Sequence, residues 1–304
     1  MLRLCAGAAL CACSLLAACG GGESSPEDSR SKVPSQSAAP LCAELLPRIT
    51  GRVQTTQATE LSGLVASRRQ AGVLWAHNDS GDSARLFALA TDGRLRGEVA
   101  VTGAGNVDWE DISAGRDVLF VADIGDNEEK RPTVYVYAVP EPRLGSGAPS
   151  ASPPAERLAL RYPDGAHDAE ALLVDPSDGT FVVVTKSFGG GTSVYSAGRP
   201  RPGAVARLGR EGRVPIAAGE AVTAGDVSAD GRTLVLRTYD RALVWSRRPG
   251  ESLASALLRE PCTGGADLVG EGQGEAVALT PDGRSFFTVP EGERPALRRY
   301  APAR

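Results

Sequence analysis

Five oxygen-bearing residues stand at matching places along the chain: Ser62, Glu110, Glu170, Thr223 and Glu275, spaced by 48, 60, 53 and 52 residues. Each opens a short run of small or apolar residues, as in Glu170-Ala-Leu-Leu-Val and Glu275-Ala-Val-Ala-Leu. If one architecture makes the five converge, three carboxylates and two hydroxyls form an oxygen cage. A hard cation such as Ca²⁺ takes about 6–8 oxygens at about 2.3–2.6 Å, so five side chains with waters suit it. Without a cation the carboxylates repel one another, and a proton on at least one relieves them. The competing reading is structural: each Glu caps backbone N–H groups at a crowded, water-filled opening.

A second polar set closes the strands that follow. It comprises His77-Asn-Asp79-Ser-Gly-Asp82, Asp123-Ile-Gly-Asp126-Asn127, Lys186, Arg237 and Glu291. Asp79 and Asp123 are candidate bases. Lys186 and Arg237 are candidate grips on an anion such as phosphate, or counter-charges to the acids. The chain has two histidines, His77 and His167, each near acidic residues and each a candidate ligand-binding group beside Glu291. Asp123 to Asn127 resembles the start of a calcium loop but lacks its twelve-residue spacing, and Asp82 and Asp126 also read as turn residues. Nucleophile-elbow, P-loop, dinucleotide and zinc-ligand patterns are absent from the sequence.

The elements that must hold these residues repeat. After each opening run comes a turn with Gly72, Gly115, Asp178-Gly179, Asp230-Gly231 or Asp282-Gly283, which is hairpin chemistry. Strand-like runs follow, among them Val73-Leu-Trp-Ala-His and Phe181-Val-Val-Val-Thr, then a third run such as Thr133-Val-Tyr-Val-Tyr. Helical periodicity is not sustained in this region. Strand-only repeats of about 50 residues predict an all-β, five-bladed β-propeller with four-stranded blades. The last repeat stops after its third strand, so the segment from Arg48 to Gln57 is predicted to close the last blade. Strand starts and second-strand ends share one face of such a blade, which puts both polar sets around one opening.

Residues 1–18 read as a signal segment: Arg3, an apolar stretch, then Leu16-Ala-Ala-Cys19, a lipobox in which Cys19 takes the lipid. Residues 19–40 are Gly, Ser, Pro and charge, a tether without core-forming residues, and residues 41–304 form the propeller. The expected location is the exported side of the bacterial cell envelope, with the membrane met through the lipid only. Cys42 and Cys262 remain once the signal cysteines and Cys19 are set aside, and an oxidising compartment predicts that they pair. A net charge of −4 with no basic block argues against nucleic acid, and a monomer is expected.

The order Ser62, Glu110, Glu170, Thr223, Glu275 resembles the calcium-activated nucleotidases (apyrases), five-bladed propellers with an axial calcium held by hydroxyls and glutamates. The resemblance implies that these five are calcium ligands. The opening Glu60-Leu-Ser-Gly-Leu also resembles bacterial phytase-like and SdiA-regulated propeller proteins. The expected function is therefore an exported, lipid-anchored propeller that binds a small or anionic ligand at its axial mouth with Ca²⁺. The alternative is a Ca²⁺-dependent phosphoester or nucleotide hydrolase, with Asp79 or Asp123 as base.

Overall fold

Alternating apolar strands and Gly-bearing turns build five mainly antiparallel sheets, whose inner strands run side by side around one axis. The structure, a computed structural model, describes residues 40–145, 149–189 and 191–303. The signal segment, Cys19 and the tether up to residue 39 lie outside the described residues. Strand β1 (Leu45–Arg52) comes first but belongs to the last blade. Blade one is β2 (Leu61–Ala66), β3 (Val73–Asn78), β4 (Arg85–Ala90) and β5 (Leu95–Ala100). Blade two is β6 (Trp109–Ala114), β7 (Val118–Asp123), β8 (Val134–Pro140) and β9 (Glu156–Arg161).

Blade three holds β10 (Ala169–Val174), β11 (Phe181–Thr185) and β12 (Ser193–Ala197). Its outer segment first adds β13 (Val205–Arg207) in parallel to β9, then pairs β14 (Gly209–Arg213) with β12, so it stitches two blades. Blade four is β15 (Val222–Val227), β16 (Thr233–Thr238), β17 (Arg241–Ser246) and a two-residue outer strand, β18 (Ala266–Asp267). Helix α1 (Leu253–Leu257) precedes β18, capped by Ser252, with Leu253 and Leu257 packed beside Trp245. A helix of five residues is too short to leave a periodic signature, which is why the sequence does not reveal it. Blade five is β19 (Ala276–Leu279), β20 (Phe286–Val289), β21 (Ala296–Pro302) and β1.

The closing strand is β1 rather than the predicted Arg48–Gln57: Leu45 pairs with Pro302 and Arg52 with Ala296. Val53 N still donates to Pro295 O of blade five, and from Gln54, whose N–H donates to Gly93 O of blade one, the chain leaves the ladder. Cys42 and Cys262 form a disulfide, 220 residues apart in sequence, beside this closure. Bridging so long a loop restricts the unfolded chain by about 5 kcal/mol in the chain-entropy picture.

Apolar residues fill five separate clusters, one at each blade junction. Phe181 and Leu160 meet between blades two and three, for example, and Leu61 and Phe287 between blades five and one. The inner strands β2, β6, β10 and β15 are buried along their whole length. Their inward amides cannot pair laterally, so carboxylates serve them. Asp111 accepts from Ile112 N at 2.8 Å, Leu172 N at 2.8 Å and Gly225 N at 3.3 Å, joining blades two, three and four. Asp226 accepts from Val227 N and from Leu279 N of blade five.

Candidate metal and ligand site at the axial mouth

Four of the five ring residues sit in β-bulges. The register of β2, β6, β10 and β15 shifts across Ser62, Glu110, Glu170 and Thr223, so each is the extra residue of its inner strand. A bulge re-aims its side chain, and here it turns each one from the blade junction toward the axis. Glu275 lies immediately before β19. The hydroxyls act as clamps between neighbouring blades: Ser62 Oγ donates to Glu110 O at 2.7 Å, and Thr223 Oγ1 to Gly274 O at 2.9 Å.

The carboxylates gather differently from a ring of five. Ligand oxygens of Asp79, Asp108 and Glu110 lie within 4.8 Å of one another, and so do those of Glu110, Asp168 and Glu170. Glu110 belongs to both triplets. Gly125 makes the first possible, since a Cβ there would overlap the Glu110 carboxylate and stand 2.6 Å from Asp108 Oδ2. Asp108 and Asp168 are additions that the sequence reading missed. The signal was available: both blades two and three open with Asp-x-Glu, Asp108-Trp-Glu110 and Asp168-Ala-Glu170. Glu170 is 1% exposed and its Oε2 has no hydrogen-bond partner.

Lys186 is the cation at this opening. Its Nζ lies 2.7 Å from Glu170 Oε1 and 3.8 Å from Glu275 Oε1. Tyr239 OH donates to Glu275 Oε1 at 2.9 Å, and the exposed Phe188 stacks on the Tyr239 ring. Burial pushes Glu110 well up, with Glu170, Asp79 and Asp108 adding to it. Burial raises Asp79 to about 6 and Glu170 to about 8, the latter against the pull of Lys186. Glu291 is raised to about 8 by burial and by its hydrogen bond to Glu275. Although burial opposes its charge, Glu170 holds the Lys186 ammonium above the ordinary lysine range. The two partners' shifts pull against each other, and the 2.7 Å contact favours the charged pair at neutral pH. Carboxylates thus outnumber Lys186 at this mouth.

No family model matches the chain, and no curated protein matches it. Among solved structures, one described as a putative 6-phosphogluconolactonase from Bacteroides uniformis is similar at a TM-score of 0.39 and 17% identity, covering 80% of this chain and 71% of that one. At that level of likeness nothing about this chain's chemistry follows from it.

The Asp123 carboxyl is buried, paired to Arg131 Nη2 at 2.8 Å and accepting from Asp108 N, which braces the Asp108 loop. His77 is wholly buried against Gly63 and edge-on to Trp109, and burial depresses it to about 4, so it is a neutral core residue. His167 sits on the rim, with Nε2 3.0 Å from Asp164 Oδ1 and 2.9 Å from Tyr195 OH. Arg237 does not project into the mouth. It is 0% exposed, bonded to Glu271 Oε2 and Ala276 O, each at 3.0 Å, between blades four and five. Asp82 and Asp126 hold loops, through Arg85 and the Arg131 N–H respectively.

Proposed function

We propose that the axial mouth binds a divalent cation, with Ca²⁺ the best match, and through it a small anionic ligand. The observation that carries this reading is Glu110 shared between two all-carboxylate triplets, with the buried Glu170 Oε2 lacking any partner. All-oxygen, all-anionic donors suit a hard cation. A Ca²⁺ with contacts of about 2.3–2.6 Å spans oxygens about 4.6–5.2 Å apart, whereas Mg²⁺ at about 2.1 Å demands a tighter shell. Either Asp79, Asp108 and Glu110 or Glu110, Asp168 and Glu170 would hold the ion, which would supply positive charge for an anion. Ser62, Thr223 and Glu275 support the ring, and Lys186 offers the anion a second cationic contact. In this reading the protein works as a monomer and has no nucleic-acid partner.

Chelator-treated protein should melt higher as Ca²⁺ is added, by more than with Mg²⁺, since a ligand at a hundredfold excess over Kd adds about 2.7 kcal/mol. The pH dependence has a definite sign. Carboxyls raised in the fold keep protons that the unfolded chain has lost, so through Asp79 and Glu291 metal-free stability falls from about pH 4 toward pH 8. Ca²⁺ displaces those protons, so its stabilising increment should grow over the same range, by about tenfold in affinity per pH unit for each proton released. A calcium increment that is absent, or that shrinks as pH rises, contradicts the reading.

A second reading, Ca²⁺-dependent phosphoester hydrolysis, draws support from Asp79, which is partly exposed and raised to about 6, where it can exchange protons near neutrality. With the ion on Glu110, Asp168 and Glu170, Asp79 stays free to accept one. A phosphoester panel with calcium, run beside Asp79→Asn, separates the readings: turnover lost in the variant marks an enzyme, and metal binding without turnover marks a binding module.

For location, we propose lipid attachment at Cys19 and display at the bacterial cell envelope, which fits the oxidised Cys42–Cys262 pair. Labelled fatty acid should enter the wild type and not Cys19→Ala; equal incorporation refutes the anchor.

A further inference from the structure

The inner strands that begin at the acidic mouth end at a cleft on the opposite face. Ala114 and Val174, the last residues of β6 and β10, line a cavity of about 1040 Å³ between blades two and three. Its wall is apolar: Val118 and Phe120 are partly exposed, and Phe120 packs edge-on against Phe181 at 5.1 Å. Three exposed arginines stand on its rim, beside carboxylates that also line it. Arg116 comes from the turn between β6 and β7, and Arg199 and Arg201 from Arg199-Pro200-Arg201-Pro202 after β12.

Two details prepare this rim for a ligand. Proline fixes φ, and Pro200 is buried, so both guanidiniums hang from a stiff, anchored segment that loses little entropy on binding. Two of the carboxylates that line the cleft are already engaged, Asp117 by Arg69 at 3.0 Å and Asp175 by Arg247 at 2.6 Å. Among the described residues, Arg116, Arg199 and Arg201 have no ion pair, although the exposed Glu156 and Asp178 also border the cleft. Guanidinium forks fit tetrahedral oxyanions, and an apolar wall with a few placed polar groups is the composition of a ligand site.

We propose that this cleft binds an amphiphilic oxyanion, a phosphate or sulfate group held at the arginine rim with its apolar body against Val118 and Phe120. The site is independent of the axial mouth and does not need its metal.

The test is calorimetric titration of the full chain with octyl phosphate below its micelle concentration, in chelator so that no cation at the mouth can hold the phosphate. Inorganic phosphate and octanol are the comparison ligands. Octyl phosphate should saturate one site, inorganic phosphate should bind at least about tenfold more weakly, and octanol should not saturate it. Arg199→Gln/Arg201→Gln should weaken octyl phosphate by about tenfold or more, in line with losing charge-assisted contacts. Both arginines are exposed, so its melting temperature should match wild type. Arg116→Gln provides a second variant with the same expectation. Glu110→Gln, on the other face, should bind as wild type does. No saturable octyl phosphate binding, equal binding by the arginine variants, or octanol binding as well as octyl phosphate overturns the proposal.

Discussion

Glu271→Ala should destabilise the propeller by about 3–5 kcal/mol, read as a lower denaturant midpoint with an unchanged slope. Glu271 closes the turn between blades four and five and is 6% exposed. Its Oε2 accepts from Arg237, and its Oε1 from Thr288 Oγ1 at 2.8 Å and Tyr300 OH at 2.7 Å. Removing it leaves the Arg237 guanidinium buried without a counter-charge, and two hydroxyls without an acceptor. The damage comes from breaking the pair rather than from losing net attraction, because burying both charges costs nearly what their contact returns. The double variant Arg237→Met/Glu271→Leu should therefore be more stable than Glu271→Ala alone. If Glu271→Ala costs under 1 kcal/mol, this network does not hold the seam.

Asp111→Ala should cost a similar amount, about 3–5 kcal/mol, because three inner-strand amides lose their acceptor at once. Burial pushes the Asp111 carboxyl up while those amides hold it down. Since both oxygens accept, Asp111→Asn tests which wins: an amide NH₂ in place of one oxygen would face a backbone N–H. Asp111→Asn should thus fall well below wild type although it keeps the shape. Equal stability would mean that the carboxylate's second acceptor oxygen contributes nothing to joining blades two, three and four.

The blade count and the closure by an N-terminal strand are legible in the sequence, because each inner and second strand is short and apolar and each turn carries Gly at a hairpin position. Outer strands are not legible. β18 has two residues, and α1 replaces most of that edge, since at the rim packing against the neighbouring blade dictates the local form more than periodicity does. At the site, the five opening residues are readable and their bulges are not, because a bulge is a register shift between two strands and appears in neither alone. Arg237 illustrates the same limit. A cation at the end of a strand reads identically whether it meets solvent or the next blade, and the single turn Val269–Glu271 that encloses it has no pattern. Asp108 and Asp168 required comparing two repeats two residues upstream of their glutamates.

The most direct test of the central claim is equilibrium dialysis of chelator-treated protein against radioactive calcium at pH 8, comparing wild type with Glu110→Gln. Glu110 joins both triplets, so its loss weakens either placement of the ion. Wild type should bind Ca²⁺ saturably, and Glu110→Gln, which keeps the size and removes the charge, should bind at least about tenfold more weakly, since losing even an outer-shell partner costs about 10–100-fold. Gly125→Ala should show the same direction of change through the displaced carboxylates, and the exposed Glu211→Gln on the outer edge of blade three should bind as wild type. No saturable calcium up to millimolar concentration, or an affinity that Glu110→Gln leaves unchanged, would contradict the account and leave the carboxylates as a structural feature of the channel.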